Sequence, residues 1–342
     1  MKVLTVVGAR PQLIKLAAFD KAVNNRFEHI VVHTGQHYDD SMSGSFFVDL
    51  DMSLPAVNLN ISGGSNISQV SKMSLELEKT FHKIRPDVVN VFGDTNSTLA
   101  ASFVASSCRI PIVHIEAGLR SRNMSMPEER NRVITDHISD LLCAPTITSL
   151  NNLENENLKN KAVFTGDIMV DSLELVKKKL ERVPFDDFYL CTIHRPSNVD
   201  NMERLIGILD EIGKLEKMVV LPLHPRAKMC LSKIRNIPSN LHVTEPMGYV
   251  EFQSYLSSSI ALITDSGGAQ KEAYMWRKPC FTLRNETEWI ETVESGWNTL
   301  ISGESGSLKK SIQEFEKPDS YPLLYGHNCA EKIISAIMTH FS

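Results

Sequence analysis

Short, continuously apolar runs separated by helix-length segments recur along the whole chain, and this alternation leaves few folds open. The runs are Val3–Val7, Ile30–His33, Val88–Phe92, Ile112–Ile115, Leu141–Ala144 and Val163–Thr165. After a helical segment over roughly Val170–Arg182 the pattern restarts with Tyr189–Ile193, Val219–Leu223, Leu241–Val243, Ala261–Thr264, Cys280–Leu283 and Thr299–Ile301. Strands this apolar belong in a parallel sheet covered by helices on both faces. Two such series predict an α/β chain of two doubly wound, Rossmann-like domains, for which 342 residues suffice. The expected boundary lies near Gly166–Asp171, with a first domain over 1–168 and a second over 169–329. The last helix, within 330–342, has no strand after it and is a candidate to pack back on the first domain.

Charge and cysteine usage remove several function classes. A net charge of −5 argues against a general nucleic-acid or membrane-surface binder, so any bound phosphate must meet local cations. No apolar run approaches the ~20 residues of a membrane span, and no signal-peptide pattern precedes the strand at Lys2. A cytoplasmic protein is expected. The 6 cysteines are scattered, with no CxxC pair, so neither a metal nor a redox centre is expected.

Polar residues sit at the strand ends: Arg10, Gln36, Asp94, Glu116, His194, His224, Ser266 and Glu286. In open parallel sheets ligands bind beyond the carboxyl ends of the strands, so both domains are expected to turn working edges toward a common cleft. Helix capping accounts for one or two of these residues, and weakly for all. Ile263-Thr264-Asp265-Ser266-Gly267-Gly268 breaks a strand into a small-residue turn and a helix start, a combination that suits a phosphate. Gly8-Ala9-Arg10-Pro11-Gln12-Leu13-Ile14-Lys15 places two cations after the first strand.

Three segments of the first half carry acids. Gly93-Asp94-Thr95 enters a helix, where Asp94 or Thr95 serves equally well as a cap. His114-Ile115-Glu116 ends a strand in an acid where an apolar residue or a neutral cap would cost less, which favours a functional Glu116. Pro127-Glu128-Glu129-Arg130-Asn131-Arg132 has the form of a helix start, so Glu128 gains weight only from its company. Three carboxylates from successive βα units raise at least one pKa by mutual repulsion and partial burial, which suits proton transfer. His194-Arg195 and His224-Pro225-Arg226 follow strands of the second half, and His194, after that domain's first strand, is the better cleft candidate. Asp49-Leu50-Asp51 reads as a solvated turn and not as a divalent-ion site. The Gly8-Ala9-Arg10-Pro11 turn replaces GxGxxG, and no acid follows the second strand, so a nicotinamide cofactor is not expected.

Gly-Ala-Arg-Pro-Gln at 8–12, Gly-Asp-Thr at 93–95, His-Ile-Glu-Ala-Gly-Leu-Arg at 114–120, Pro-Glu-Glu with Asn-Arg at 127–132, and Thr-Asp-Ser-Gly-Gly with Glu272 occur in order. Over essentially its full length the chain resembles the non-hydrolysing UDP-N-acetylglucosamine 2-epimerases. The resemblance implies the GT-B architecture of two facing Rossmann-like domains, a homodimer, and a UDP-linked 2-acetamido sugar as substrate for surface polysaccharide precursors such as lipopolysaccharide or capsule. It implies acid/base roles for Asp94, Glu116 and Glu128 and a cleft histidine at His194. It also implies diphosphate contacts at Arg10, Lys15 and the Ser266-Gly267-Gly268 turn, a ribose-binding acid at Glu272 and a uracil-side aromatic at Phe252. Residues alone point to most of these; Phe252 comes from the resemblance only.

The chain also departs from its relatives. Ser197 stands where many of them carry Glu after the His-Arg pair. Gln36-His37-Tyr38-Asp39 keeps the first two residues of the Gln-His-x-Gln stretch through which bacterial relatives bind a second, activating UDP-sugar, so such activation is not expected. The Gly-Ala-Arg-Pro-Gln opening at 8–12, Gly166-Asp167 and Glu286-Thr287-Glu288-Trp289 look more like the branch acting on UDP-2,3-diacetamido-2,3-dideoxyglucuronate than the general branch. Arg120, Arg122, Arg195 and Arg284 are equal candidates to meet that sugar's carboxylate. A UDP-sugar glycosyltransferase or a hydrolysing epimerase are more distant alternatives.

Overall fold

The computed structural model describes residues 1–36, 47, 50–223, 229–231, 233, 234, 236–301 and 306–341. The chain divides into two compact units, Met1–Lys178 with Leu323–Ser342, and Lys179–Pro322.

The first unit holds strands β1 (Lys2–Val7), β2 (Glu28–His33), β3 (Val57–Asn58), β4 (Val88–Phe92), β5 (Ile112–Ile115), β6 (Leu141–Ala144) and β7 (Ala162–Phe164). They form one parallel sheet in the order β3-β2-β1-β4-β5-β6-β7. Its helices are α1 (Arg10–Val23), α2 (Asn66–Ile84), α3 (Asn96–Ser107), α4 (Pro127–Ile138), α5 (Ile147–Asn155) and α6 (Met169–Lys177). Leu4, Val6, Val89, Val91 and Ile112 point to one sheet face, where Met73, Leu77 and Phe81 of α2 and the small residues Ala100, Ala101 and Ala105 of α3 cover them. The small side chains let α3 approach the sheet closely. Threonine and serine side chains stop the chain extending and start the helices: Ser65, Thr95 and Thr146 each accept from the backbone N–H three residues on.

In the second unit β8 (Tyr189–Thr192), β9 (Val219–Pro222), β10 (Leu241–Thr244), β11 (Ala261–Thr264), β12 (Cys280–Thr282) and β13 (Asn298–Leu300) form a second parallel sheet, in the order β10-β9-β8-β11-β12-β13. The helices are α7 (Pro196–Val199), α8 (Met202–Gly213), α9 (Tyr249–Ser258), α10 (Gly267–Met275), α11 (Ile290–Glu294) and α12 (Ser307–Gln313). Alternate residues of β8 divide between two cores. Cys191 joins Ile208, Leu209 and Ile212 of α8 on one face, and Leu190 joins Leu256 and Ala273 on the other.

The final helix, α13 (Cys329–Phe341), packs on α1 and α6 through Ile333, Ile334 and Ile337. Asp171 Oδ2 accepts from the Ala330 N–H at 2.6 Å, and Arg26 pairs with Glu331 at 2.6 Å. The unit boundary falls after Lys178, ten residues beyond the 168/169 division that the strand pattern suggests. The reason is α6: Leu173 and Val176 are buried, and Ser172 Oγ donates to the Ile14 carbonyl at 3.0 Å.

Gly118, just past β5, has φ +81°, and a Cβ there would lie 2.4 Å from the Ser149 carbonyl oxygen. Gly118→Ala is therefore expected to destabilise the protein by about 2 kcal/mol or more, read as a lower urea midpoint.

Candidate functional site

Each sheet reverses its direction of strand addition once, between β1 and β4 in the first unit and between β8 and β11 in the second. Such switch points open a crevice beyond the strand carboxyl ends, which is where ligands bind in this kind of sheet. The sequence places its polar exits at both.

At the first switch point, Gln12 of α1 ties the two strand exits together. Its Oε1 accepts from the Gly8 and Ala9 N–H groups at 2.8 and 3.1 Å, and its Nε2 donates to the Phe92 carbonyl at 2.8 Å. Arg10 is the first residue of α1, and Lys15, one turn further, is buried. Lys15 Nζ is paired with the Glu116 carboxylate in addition to any role toward an anionic ligand. Glu116 is buried with φ +70°, a left-handed backbone that a non-glycine residue adopts at a cost. A residue held this way at the end of a strand marks a site where geometry outweighs local stability.

Asp94 leaves β4 beside Glu116, since β4 and β5 are paired and Gly93 N–H donates to the Ile115 carbonyl at 3.0 Å. Thr95, not Asp94, caps α3. The Asp94 carboxylate is instead gripped by Arg132, whose Nε lies at 3.1 Å and whose Nη2 also pairs with Oδ2. Arg132 Nη1 donates to Glu129 Oε2 at 2.7 Å. Glu128 stands exposed on the first turn of α4 with the buried Glu129 beside it. Below these groups, His114 is clamped at both ends, with Nδ1 2.7 Å from Asp136 and Nε2 2.7 Å from the Gly93 carbonyl. Asp136 also accepts from Arg120 at 2.7 Å, and Arg120 reaches Glu156 at 2.6 Å.

Burial works against the charged form of Glu129, but hydrogen bonds from the Ser121 and Arg122 N–H groups, the Arg132 charge and the Ser121 hydroxyl outweigh it, so its carboxyl is held below the ordinary value of 4.5. A carboxyl with a depressed folded-state pKa contributes stability that is present above the unfolded value and lost as pH falls through the folded one. Between pH 6 and pH 3 the urea midpoint of Glu129→Gln is accordingly expected to fall less steeply than that of the unaltered protein.

At the second switch point Asp265 organises the loop after β8. Fully buried, it accepts from the His194 N–H at 3.1 Å, the Arg195 N–H at 2.9 Å and Asn198 Nδ2 at 3.0 Å. The His194 ring stays 40% exposed, with Nδ1 3.2 Å from Asp265. Lost solvation holds its pKa below the ordinary 6.5; the Asp265 charge opposes this and Arg195 adds to it. Ser266 caps α10, leaving Gly267 and Gly268 to present the first N–H groups of the helix. Glu272, one turn in, is buried and accepts from Gln253 Nε2 at 3.0 Å. Phe252 of α9 is half-buried against the core formed by Phe188, Leu256 and Ala273.

The structure thus brings Arg10, Lys15, Asp94 and Glu116 to one sheet edge, and His194, Ser266, Gly267 and Gly268 to the other. Residues 37–39, Asp49 and 224–226 lie outside the described residues. Arg132, Glu129 and Asp265 emerge only from the structure. The i, i+3 spacing of Glu129 and Arg132 was the available signal for that pair, and Asp265 stood inside a motif as an apparent turn residue.

Two parallel α/β domains with these strand exits are of the GT-B class. The model of the UDP-N-acetylglucosamine 2-epimerase family matches residues 21–338. A UDP-2,3-diacetamido-2,3-dideoxy-D-glucuronate 2-epimerase of Pseudomonas aeruginosa is 42% identical over 334 residues, covering 92% of this chain and 94% of its own. A UDP-N-acetylglucosamine 2-epimerase of Methanocaldococcus jannaschii is 38% identical over 363 residues, covering 99% of each. A crystal structure of the M. jannaschii UDP-GlcNAc 2-epimerase with UDP-GlcNAc and UDP superposes with TM-score 0.91 at 38% identity, over 99% of this chain and 100% of that one. The chain belongs to the UDP-N-acetylglucosamine 2-epimerase family.

Proposed function

We propose that the protein epimerises a UDP-2-acetamido sugar at carbon 2, of the UDP-GlcNAc to UDP-ManNAc type, without hydrolysing it. The observation that carries the reading is the pair of carboxylates, Asp94 and Glu116, at the exits of adjacent strands, one held by Arg132 and the other by Lys15. The hydrogen on carbon 2 is not next to a carbonyl, so a base alone cannot remove it. As the anomeric C–O bond breaks, positive charge developing at carbon 1 acidifies the neighbouring C–H. A carboxylate takes that proton, UDP keeps the electron pair of the broken bond, and a 2-acetamidoglucal remains. Return of a proton to the opposite face and re-addition of UDP complete the inversion. Two faces need two protonatable groups, which supports Asp94 and Glu116, with Glu128 as the third member of the set. Arg10, Lys15, His194 and the α10 N-terminus stabilise the departing diphosphate, Glu272 accepts from the ribose, and Phe252 meets the uracil.

A second reading has the same chemistry act on UDP-2,3-diacetamido-2,3-dideoxyglucuronate, supported by the 42% identity to the P. aeruginosa relative. Of the four arginines considered for that sugar's carboxylate, Arg120 is committed to Asp136 and Glu156. Arg284 pairs with Glu288 at 3.0 Å. Arg195 Nε in turn donates to the Asp265 carbonyl at 3.0 Å, and the buried Nη1 and Nη2 of Arg284 make no hydrogen bond among the described residues, so Arg122, Arg195 and Arg284 remain equal candidates. A homodimer working in the cytoplasm, supplying a surface polysaccharide pathway, belongs to the same proposal. It is supported by the family and by free cysteines; among the described residues no helix is long and apolar enough to cross a membrane.

The test is incubation with each UDP-sugar in deuterated water, followed by NMR. Both epimers with deuterium at carbon 2 are expected from the true substrate. Release of free sugar and UDP as the main products would assign the chain to hydrolysis instead.

A further inference from the structure

Two helices of the second unit each contribute an i, i+4 pair to one buried polar network. Tyr249 and Gln253 share a face of α9, and Glu272 and Trp276 share a face of α10 and its C-cap. Trp276 Nε1 donates to Gln253 Oε1 at 2.7 Å, Gln253 Nε2 donates to Glu272 Oε2 at 3.0 Å, and the Tyr249 hydroxyl lies 3.4 Å from Glu272 Oε1. Gln253 has no exposed surface and Glu272 is 8% exposed.

The directions in this chain are fixed by chemistry. An indole N–H can only donate, so the Gln253 atom facing it is the carbonyl oxygen, and its NH₂ group must point at Glu272. A carboxylate can only accept, so the two ends of the network reinforce one amide orientation. The consequence is a Glu272 carboxylate locked in rotation, with one oxygen anchored by Gln253. A planar acceptor fixed this way suits a vicinal diol, whose two hydroxyls must find two acceptor directions at once.

We propose that Gln253, oriented by Trp276, is the positioning residue that fixes Glu272 toward a nucleotide ribose and so sets discrimination between ribo- and 2′-deoxyribonucleoside diphosphates. The proposal rests on the reading of Glu272 as the ribose acceptor. Losing Gln253 leaves Glu272 its charge and the Tyr249 hydroxyl near Oε1 but removes the 3.0 Å donor that holds Oε2, so its direction loosens and a ligand with two hydroxyls loses more than a ligand with one.

Calorimetric affinities for UDP and 2′-deoxy-UDP, measured on the full chain, test it with E272Q, Q253L and W276F. The unaltered protein is expected to prefer UDP by about 10-fold or more, since an unpaired buried polar group penalises the analogue that lacks its partner. E272Q should abolish most of that preference. Q253L should cut it by about 5-fold through weaker UDP binding, and W276F by a smaller factor in the same direction. The ratio is the readout because general loosening weakens both ligands alike. If E272Q reduces the preference and folded Q253L keeps it in full, the positioning role is overturned. Should Q253L not fold by circular dichroism, W276F decides, and an unchanged ratio there overturns the role equally. A preference untouched by E272Q, or absent from the start, removes the ribose reading itself.

Discussion

Replacing Glu116 with glutamine is expected to lower turnover by at least about 100-fold while UDP still binds, because a positioned proton-transfer group typically contributes 100- to 10,000-fold. The amide keeps an oxygen to accept from Lys15, so the side chain can hold its place in the buried pair with Lys15 while losing its ability to take a proton. The substitution removes the Glu116 charge from beside the buried Lys15 ammonium, and a lower melting temperature should accompany the lost activity. Asp94→Asn should behave alike in turnover, and Arg132 keeps its second anion in Glu129. Steady-state kinetics on both variants and on Glu128→Gln, beside calorimetric UDP titrations, check this. Near-normal turnover in all three would remove the carboxylates from the mechanism.

Gly268→Val is expected to weaken UDP by at least about 100-fold, on the order of 3 kcal/mol, without unfolding the protein. Beyond its chain neighbours and the backbone of its own helix, a Cβ at Gly268 meets nothing within 4 Å, and the residue is exposed, so the fold has room for the side chain. What the valine obstructs is the approach to the first N–H groups of α10. The neighbouring position behaves differently, since a Cβ at Gly267 would lie 2.0 Å from Glu288 Oε1 and displace a side chain paired with Arg284. Gly267→Ala therefore mixes a folding effect with a binding effect, and Gly268→Val separates them. Undiminished UDP affinity with an unchanged circular dichroism spectrum would place the diphosphate elsewhere.

Much of this was legible in the sequence because a buried parallel strand must be apolar throughout and must end where a polar turn begins. Strands β4, β5, β6 and β11 coincide with Val88–Phe92, Ile112–Ile115, Leu141–Ala144 and Ala261–Thr264. Strand β3 escaped notice: two residues, Val57 and Asn58, exist as a strand only through pairing with β2. The membership of α6 in the first unit was equally hidden, because the Ser172 to Ile14 bond spans 158 residues and leaves no local trace. The residues proposed to meet a ligand announced themselves as polar strand exits at Arg10, Asp94, Glu116, His194 and Ser266, though not at Phe252 or Glu272, which lie on helices. Those that hold them did not, since Arg132, Gln253 and Trp276 sit on helices where a polar or aromatic residue needs no special reason.

The central claim is reversible departure of UDP, and the measurement that reaches it most directly is positional isotope exchange. UDP-N-acetylglucosamine labelled with heavy oxygen in the bridge between carbon 1 and the diphosphate is incubated with the protein and recovered. Reversible elimination predicts that the label leaves the bridge for the other oxygens of that phosphate as fast as, or faster than, the epimer accumulates, with deuterium entering carbon 2 when the solvent is deuterated. Epimerised product that retains the label wholly in the bridge would contradict it.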